Sequence, residues 1–342
     1  MALVYNLNNS ATQVLAAKQV KENIFLGLLH RNGKGVTEQT ETNATTIRMM
    51  KAVPSTAAAR KLGASTNGGW FNSEGAAIQD VVEYDLPLLY VFDRCYDIPV
   101  LQEDVVPVNL FDATTKNIGG RINKEINAST IAEQLANRFN EAKTATKWDG
   151  IAVAVGTGSK AAYDAFMEAS VMLDNGDEDN GIDSFPFDER EVLIRPEFRK
   201  TLMSQAGVVT GGSNFMQSMI AKGAVSPDAT KDFGTCYVGE IDMVPCFSAS
   251  APVWNRAAAW LGGDATVAKV EALMCAASAT DRGISDQDRI KTIESPDGQG
   301  KRLQPLVRWG VHVSYGKGIV PILKNGTAVP SANVTVNAPG SV

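Results

Sequence analysis

Asn127-Ala-Ser-Thr-Ile-Ala-Glu-Gln-Leu-Ala-Asn-Arg-Phe-Asn-Glu-Ala-Lys-Thr-Ala145 carries the strongest periodic signal in the chain. Ala128, Ile131, Ala132, Leu135, Phe139 and Ala142 recur at the three-and-four spacing that puts them on one side of a 3.6-residue helix. Glu133, Gln134, Asn137, Arg138, Asn140 and Glu141 fill the other side, which is expected to be exposed or to meet a neighbouring molecule. Thr130-x-x-Glu133 has the form of a capping box, placing the helix start near Asn127.

Working outward, the segment before this helix is strand-like: Val81-Val82, Leu86 to Phe92, Ile98 to Leu101 and Val105 to Leu110, punctuated by Pro87, Pro99 and Pro107. Proline lacks the N–H that a central ladder position requires, so these read as edge or bulged strands. After it comes a second strand–helix unit, Ile151 to Val155 and about Ser159 to Leu173, then an acidic loop from Asp174 to Asp183. Glu191 to Ile194 reads as a strand and Pro196 to Met203 as a helix with proline in its first turn. Cys236 to Ile241 and Met243 to Ser248 read as two strands around Asp242. Asp281 to Arg302 reads as a charged loop, and Val307 to Tyr315, Ile319 to Leu323 and Val334 to Val336 as closing strands. Towards the N-terminus a helix fits within residues 10 to 35. Val36 to Gly75 is rich in Thr, Ala, Gly and Asn, too long and too aperiodic for an ordinary loop. Strands and helices interleave without steady alternation, which points to an α+β fold.

With 342 residues and 44% hydrophobic content, the chain can bury a large core. Its formal net charge of −6 arises from mixed charges with no basic block, which argues against direct nucleic-acid binding. Cys95, Cys236, Cys246 and Cys275 are spaced neither as a disulfide framework nor as a C-x-x-C pair and are expected to be buried thiols. The N-terminus has no basic segment leading into an apolar one, and no apolar run approaches the roughly 20 residues of a membrane span, so cytosolic synthesis and no membrane association are expected.

Chemical motifs are few. Gly156-Thr157-Gly158-Ser159-Lys160-Ala161 matches G-x-G-x-x-A between a strand and a helix, the context dinucleotide binding needs. No regular strand–helix series surrounds it, and the acidic residues from Asp174 onward do not end a strand, so a plain strand-to-helix turn is the favoured reading. Gly27 to Gly35 has five residues between Gly27 and Gly33 where a phosphate loop needs four, and Gly35 where that loop needs Ser or Thr. The acidic loop lacks the twelfth-position Glu of a calcium loop. His30 and His312 sit in no catalytic pattern, and the carboxylates Asp93, Asp97, Glu103 and Asp104 have no nucleophile or metal partner. No catalytic, cofactor-binding or metal-binding residue is assigned, and no cofactor is expected.

Taken in order, the pieces resemble a major capsid protein of a tailed bacteriophage with the Hong Kong 97-type fold. The likeness spans roughly Val81 to Leu323. It rests on the strand before the long helix, on Val192-Leu-Ile-Arg-Pro-Glu-Phe-Arg-Lys-Thr-Leu202, on Gly234-Thr-Cys-Tyr-Val-Gly-Glu-Ile-Asp-Met-Val-Pro245 and on Trp309-Gly-Val-His-Val-Ser-Tyr-Gly316. The resemblance implies an N-terminal arm over 1–50, an extended loop over 51–90, a peripheral domain with a spine helix over 91–150, an axial domain over 151–260, and return strands of both domains plus a C-terminal arm over 261–342. It further implies a homo-oligomer of hexamers and pentamers closing into an icosahedral shell in the virion. That shell encloses double-stranded DNA without sequence-specific binding, and scaffolding, portal and decoration proteins are possible partners. Trp70, Phe71, Arg138 and Glu141 are the expected subunit-contact residues, although Trp70 and Phe71 could equally form a local cluster under a loop. The family's covalent crosslink is not carried over to Lys51 or Lys61. Two alternatives stand beside this reading: a nucleotide-dependent α/β enzyme using Gly156 to Ala161, and an encapsulin-like nanocompartment shell of cellular origin.

Overall fold

The axis of the fold is a helix of 34 residues, α2, over Val108–Glu141. At 1.5 Å per residue it is about 50 Å long. In the computed structural model, which describes residues 4–6, 9–26, 37–39, 45–52, 81–94, 96–98, 105–142, 148, 150–209, 235–238, 242–285, 290–294, 301–330 and 332–338, this helix touches elements from both halves of the chain. It starts well before Asn127, which corrects the expected boundary. Phe111, Thr115, Ile118, Ile122 and Ile126 continue the buried stripe backwards at helical spacing. Thr114-Thr115 and Gly119-Gly120 weaken the local preference for helix there, and burial of the isoleucines overrides it. The capping box is not one: Thr130 Oγ1 donates to the Ile126 carbonyl 2.8 Å away, a bond within the helix interior, while Glu133 accepts from the Tyr90 hydroxyl.

The chain begins with β1 (Val4–Asn6), α1 (Ser10–Leu26), β2 (Thr37–Gln39) and β3 (Thr46–Ala52). Next come β4 (Val81–Pro87), β5 (Tyr90–Phe92), β6 (Tyr96–Ile98) and β7 (Val105–Pro107), the last ending where α2 starts. After α2 follow β8 (Val153–Ala154), α3 (Ala161–Asp174), β9 (Arg190–Ile194) and α4 (Pro196–Val209), close to expectation. Then come β10 (Thr235–Val238), β11 (Asp242–Ser248), α5 (Ala251–Trp260) and β12 (Val270–Ala276). The chain closes with β13 (Thr280–Ser285), β14 (Lys291–Glu294), β15 (Lys301–Gln304), β16 (Val307–Val313) and β17 (Ile319–Leu323).

These strands form a mixed six-stranded sheet in the order β10-β11-β9-β12-β17-β8 and a four-stranded sheet in the order β2-β13-β16-β5. A three-stranded sheet, β14-β15-β6, and the pairs β1-β7 and β3-β4 complete the set. Within the six-stranded sheet, β9 and β17 are buried along their whole length, the mark of strands covered on both faces. Cys275 lies buried on β12, as expected, whereas the side chains of Cys95, Cys236 and Cys246 lie outside the described residues. Parallel and antiparallel neighbours are mixed in this sheet, so the α+β class holds and a doubly wound sheet does not.

Two expected features are overturned. Asp281 to Arg302 is not a charged loop: β13 runs through its start as an interior strand, and β14 and β15 pair at its end. Arg282 points into the core, where burial pushes its guanidinium down to about 10 and Glu191 opposes that shift. Val334 to Val336 is not a strand. Instead the Asn140 amide takes the place of a neighbouring strand, donating to the Val334 carbonyl at 2.8 Å and accepting from its N–H at 2.9 Å.

Candidate functional site

The Gly156 to Ala161 turn was the strongest chemical candidate, and its geometry occupies the groups a phosphate would use. A dinucleotide site offers free backbone N–H groups at the helix start. Here the Gln205 side-chain oxygen, reaching from α4, accepts from the N–H groups of Ala162 and Tyr163 at 2.7 and 3.2 Å. The acidic loop is likewise committed internally. Asp177 is buried, and Lys317 bridges Asp177 and Asp179 at 3.2 and 2.7 Å. Among the described residues no group of three His, Cys, Asp or Glu side chains is arranged to hold a metal ion. His312 is exposed on β16 with its ring 5.2 Å from that of Tyr84, and His30 lies outside the described residues.

The subunit-contact candidates separate. Trp70 and Phe71 lie outside the described residues. The Arg138 side chain is fully buried in its own subunit, which corrects its expected place on an outward face. Its Nε and Nη2 donate to the Ile151 carbonyl at 3.3 and 3.1 Å, Nη2 also donates to that of Gly150 at 3.2 Å, and Nη1 meets Glu141 at 2.6 Å. Burial lowers its pKa, and Glu141 counters the shift. Gln134 is buried as well, donating to Thr280 at 3.0 Å. The arc that reads as polar is therefore a seam of specific bonds to the chain that packs around α2. Glu141, its side chain 42% exposed, keeps an outward-facing carboxylate.

The most distinctive arrangement outside the main core is the hairpin of β3 and β4 and its seat. The two strands pair antiparallel from Thr46↔Pro87 to Ala52↔Val81, and the Leu88 N–H extends the ladder to the Thr45 carbonyl. Ile47, Met49, Leu86 and Leu88 form a cluster separate from the main core, with Tyr84 beside it. That cluster rests on the outer face of the four-stranded sheet over Gly283 of β13 and Gly310 of β16, which pair directly. A Cβ at Gly283 would lie 2.6 Å from Ile47 Cδ1 and 2.9 Å from Leu86 Cδ2, and one at Gly310 would collide with the Pro87 carbonyl. Beside the glycines, Asp281 Oδ2 accepts from the Tyr84 hydroxyl and from the Ser314 hydroxyl, each at 2.5 Å. Burial first, and then the bond to Asp281, raise the Tyr84 pKa. Sequence reading placed no site here. The available signal was glycine inside strand-like sequence, at Gly283 and in Trp309-Gly310-Val311, which marks close backbone approach.

No protein-family model matches the sequence, and no curated protein matches it. Solved structures do. The head structure of Helicobacter pylori bacteriophage KHP40 is similar at 12% identity over 86% of this chain and 88% of that chain, with a TM-score of 0.50. The mature capsid of bacteriophage PhiM1 is similar at 11% identity, 88% and 87% coverage and a TM-score of 0.48. A virus-like particle from Pyrococcus furiosus is similar at 12% identity, 91% and 98% coverage and a TM-score of 0.45. The likeness to the KHP40 head shows the fold: this chain has the α+β architecture of a phage-head protein, the Hong Kong 97-type fold that the sequence resembles.

Proposed function

We propose that this chain is a major capsid protein, a structural subunit that self-assembles into an icosahedral phage head around double-stranded DNA. The observation that carries this reading is the fold, shared with the KHP40 head over 86% of the chain. The residues themselves agree with it. The helix start that could have held a phosphate is filled by Gln205, and the buried guanidinium groups of Arg138 and Arg190 are spent on internal bonds, which suits a subunit whose work is mechanical. A net charge of −6 also suits a container, because a lumen rich in Lys and Arg would hold phosphates through many salt-dependent contacts and hinder packing and release.

In this reading residues 1–50 form the arm, 51–90 the extended loop, with β3 crossing from one to the other, and α2 the spine of the peripheral domain. Trp70, Phe71 and Glu141 meet neighbouring copies in hexamers and pentamers, while Arg138 acts inside the subunit. Scaffolding, portal and decoration proteins would be the heterologous partners, and the virion the place of action. Among the described residues no helix is long and apolar enough to cross a membrane.

Negative-stain microscopy and sedimentation of the purified chain test the proposal. Closed particles or capsomers are expected; a stable monomer under every assembly condition would overturn it. Nuclease-protected double-stranded DNA inside particles recovered from an infected host supports a phage head, whereas protein cargo without DNA would turn the assignment to a cellular nanocompartment.

A further inference from the structure

After β4 the hairpin passes into the body over a short, defined stretch. Leu88 belongs to the hairpin cluster, Leu89 is 71% exposed, and Tyr90 is fixed in the body through its bond to Glu133. A single residue, Leu89, therefore separates a small apolar cluster from the main core. A two-stranded hairpin is marginal alone in water, so what keeps this one in place is what it docks on. Its docking has two parts. The paired glycines leave room for Ile47, Leu86 and the Pro87 backbone, and Asp281 ties a hairpin side chain, Tyr84, to the same carboxylate oxygen that binds Ser314 of the body.

We infer that the β3–β4 hairpin is a separately releasable unit, seated on Gly283 and Gly310 and latched by Asp281 to Tyr84, and that these residues set the direction in which the hairpin leaves the subunit. Tyr84 and Asp281 are positioning residues. The Gly283–Gly310 seat sets how closely the hairpin lies, and the shared carboxylate sets its angle by tying two hydroxyls from different elements to one point. Local opening of such a unit requires less free energy than unfolding the body, because what opposes it among the described residues is a small cluster of four buried side chains, the Tyr84–His312 ring contact and one shared carboxylate, set against the much larger main core. The meaning for assembly rests on the shell reading, in which a latched hairpin meets a neighbour at a fixed angle and an unlatched one does not.

Amide hydrogen exchange of the full-length chain, read by mass spectrometry, tests the latch without requiring a particle. In Tyr84→Phe, peptides covering 45–52 and 81–88 are expected to exchange about tenfold faster, the size of effect that losing one hydrogen bond to a charged acceptor predicts. Peptides covering β9 and β12 should keep their wild-type rates. Gly310→Ala is expected to accelerate the same hairpin peptides further, because the added methyl meets backbone that cannot move aside. Unchanged hairpin exchange in Tyr84→Phe would overturn the latch, and equal acceleration of hairpin and body would overturn separability. Microscopy of the same samples reads the shell independently: wild-type protein that exchanges as expected but never forms particles would sink the capsid proposal and leave the latch standing.

Discussion

The two faces of the four-stranded sheet are built from alternate residues of the same strands, yet they are filled in opposite ways. On the inner face Arg282, Ile284 and Trp309 are large and buried, and Thr280 and Tyr90 bond to α2 through Gln134 and Glu133. On the outer face the central positions are Gly283 and Gly310, flanked by Asp281 and His312. Directly opposed residues of an antiparallel pair share a face, so the pairs Ile284↔Trp309 and Gly283↔Gly310 state the contrast in adjacent steps. The inner face must fill the space beneath a long helix. The outer face must leave space for another element to lie on it. Side-chain volume on one face and its absence on the other let a single sheet be both core wall and docking platform.

Breaking the inner face should have the largest effect. Trp309 donates its indole N–H to Ser129 at 2.9 Å and packs beside Tyr90 and Trp260, with ring centroids 5.9 and 6.2 Å away. Trp309→Ala is expected to cost about 3–5 kcal/mol of global stability, measured by denaturant unfolding. Phe139→Ala, on the part of the helix with the clearest periodicity, should fall in the same range. On the outer face, Leu86→Ala removes a comparable apolar volume from a cluster of four. The expected result is faster exchange in the hairpin with the melting transition of the body unmoved. A loss of global stability equal to that of Trp309→Ala would mean that hairpin and body are one cooperative unit, and the contrast between the faces would collapse.

How much of this was readable from the sequence follows the range of each interaction. The helix from Asn127 onward and the Val192 to Leu202 strand–helix unit are legible because local periodicity and proline placement encode them. The first half of α2 is hidden by Thr114-Thr115 and Gly119-Gly120, whose unfavourable propensities are outweighed only by contacts with distant segments such as α1. Arg138 reads as a solvated charge, since nothing local reveals that the Gly150 and Ile151 carbonyls will converge on it. Arg190 is the same case, fully buried while it binds Phe185, Ser170 and Asp174. Strand β13 is disguised by Asp281 and Arg282, one reaching the hairpin latch and the other the core. Trp70 and Phe71, the residues from which a loop contact was read, lie outside the described residues.

The smallest expected effect concerns the charge held on the inner face. Burial raises the Glu133 pKa, and the hydroxyl donated by Tyr90 only partly offsets that shift. A carboxyl with a raised folded-state pKa binds its proton more readily in the native chain than in the unfolded one. Its contribution to stability is therefore fully present below the unfolded pKa and is lost as pH rises through the folded one. At neutral pH the body thus carries the penalty of a buried carboxylate. Glu133→Gln keeps an oxygen to accept from Tyr90 and removes the charge, so the variant should be more stable than wild type at pH 7. The gap should close on acidification through the raised pKa of Glu133, as the wild-type carboxyl takes up its proton. Unfolding curves of the two proteins across that range decide it. A variant less stable than wild type at pH 7 would show that the charge on the Tyr90 acceptor is worth more than its burial costs, and that the inner face, like the outer, is held by a deliberate carboxylate–tyrosine bond.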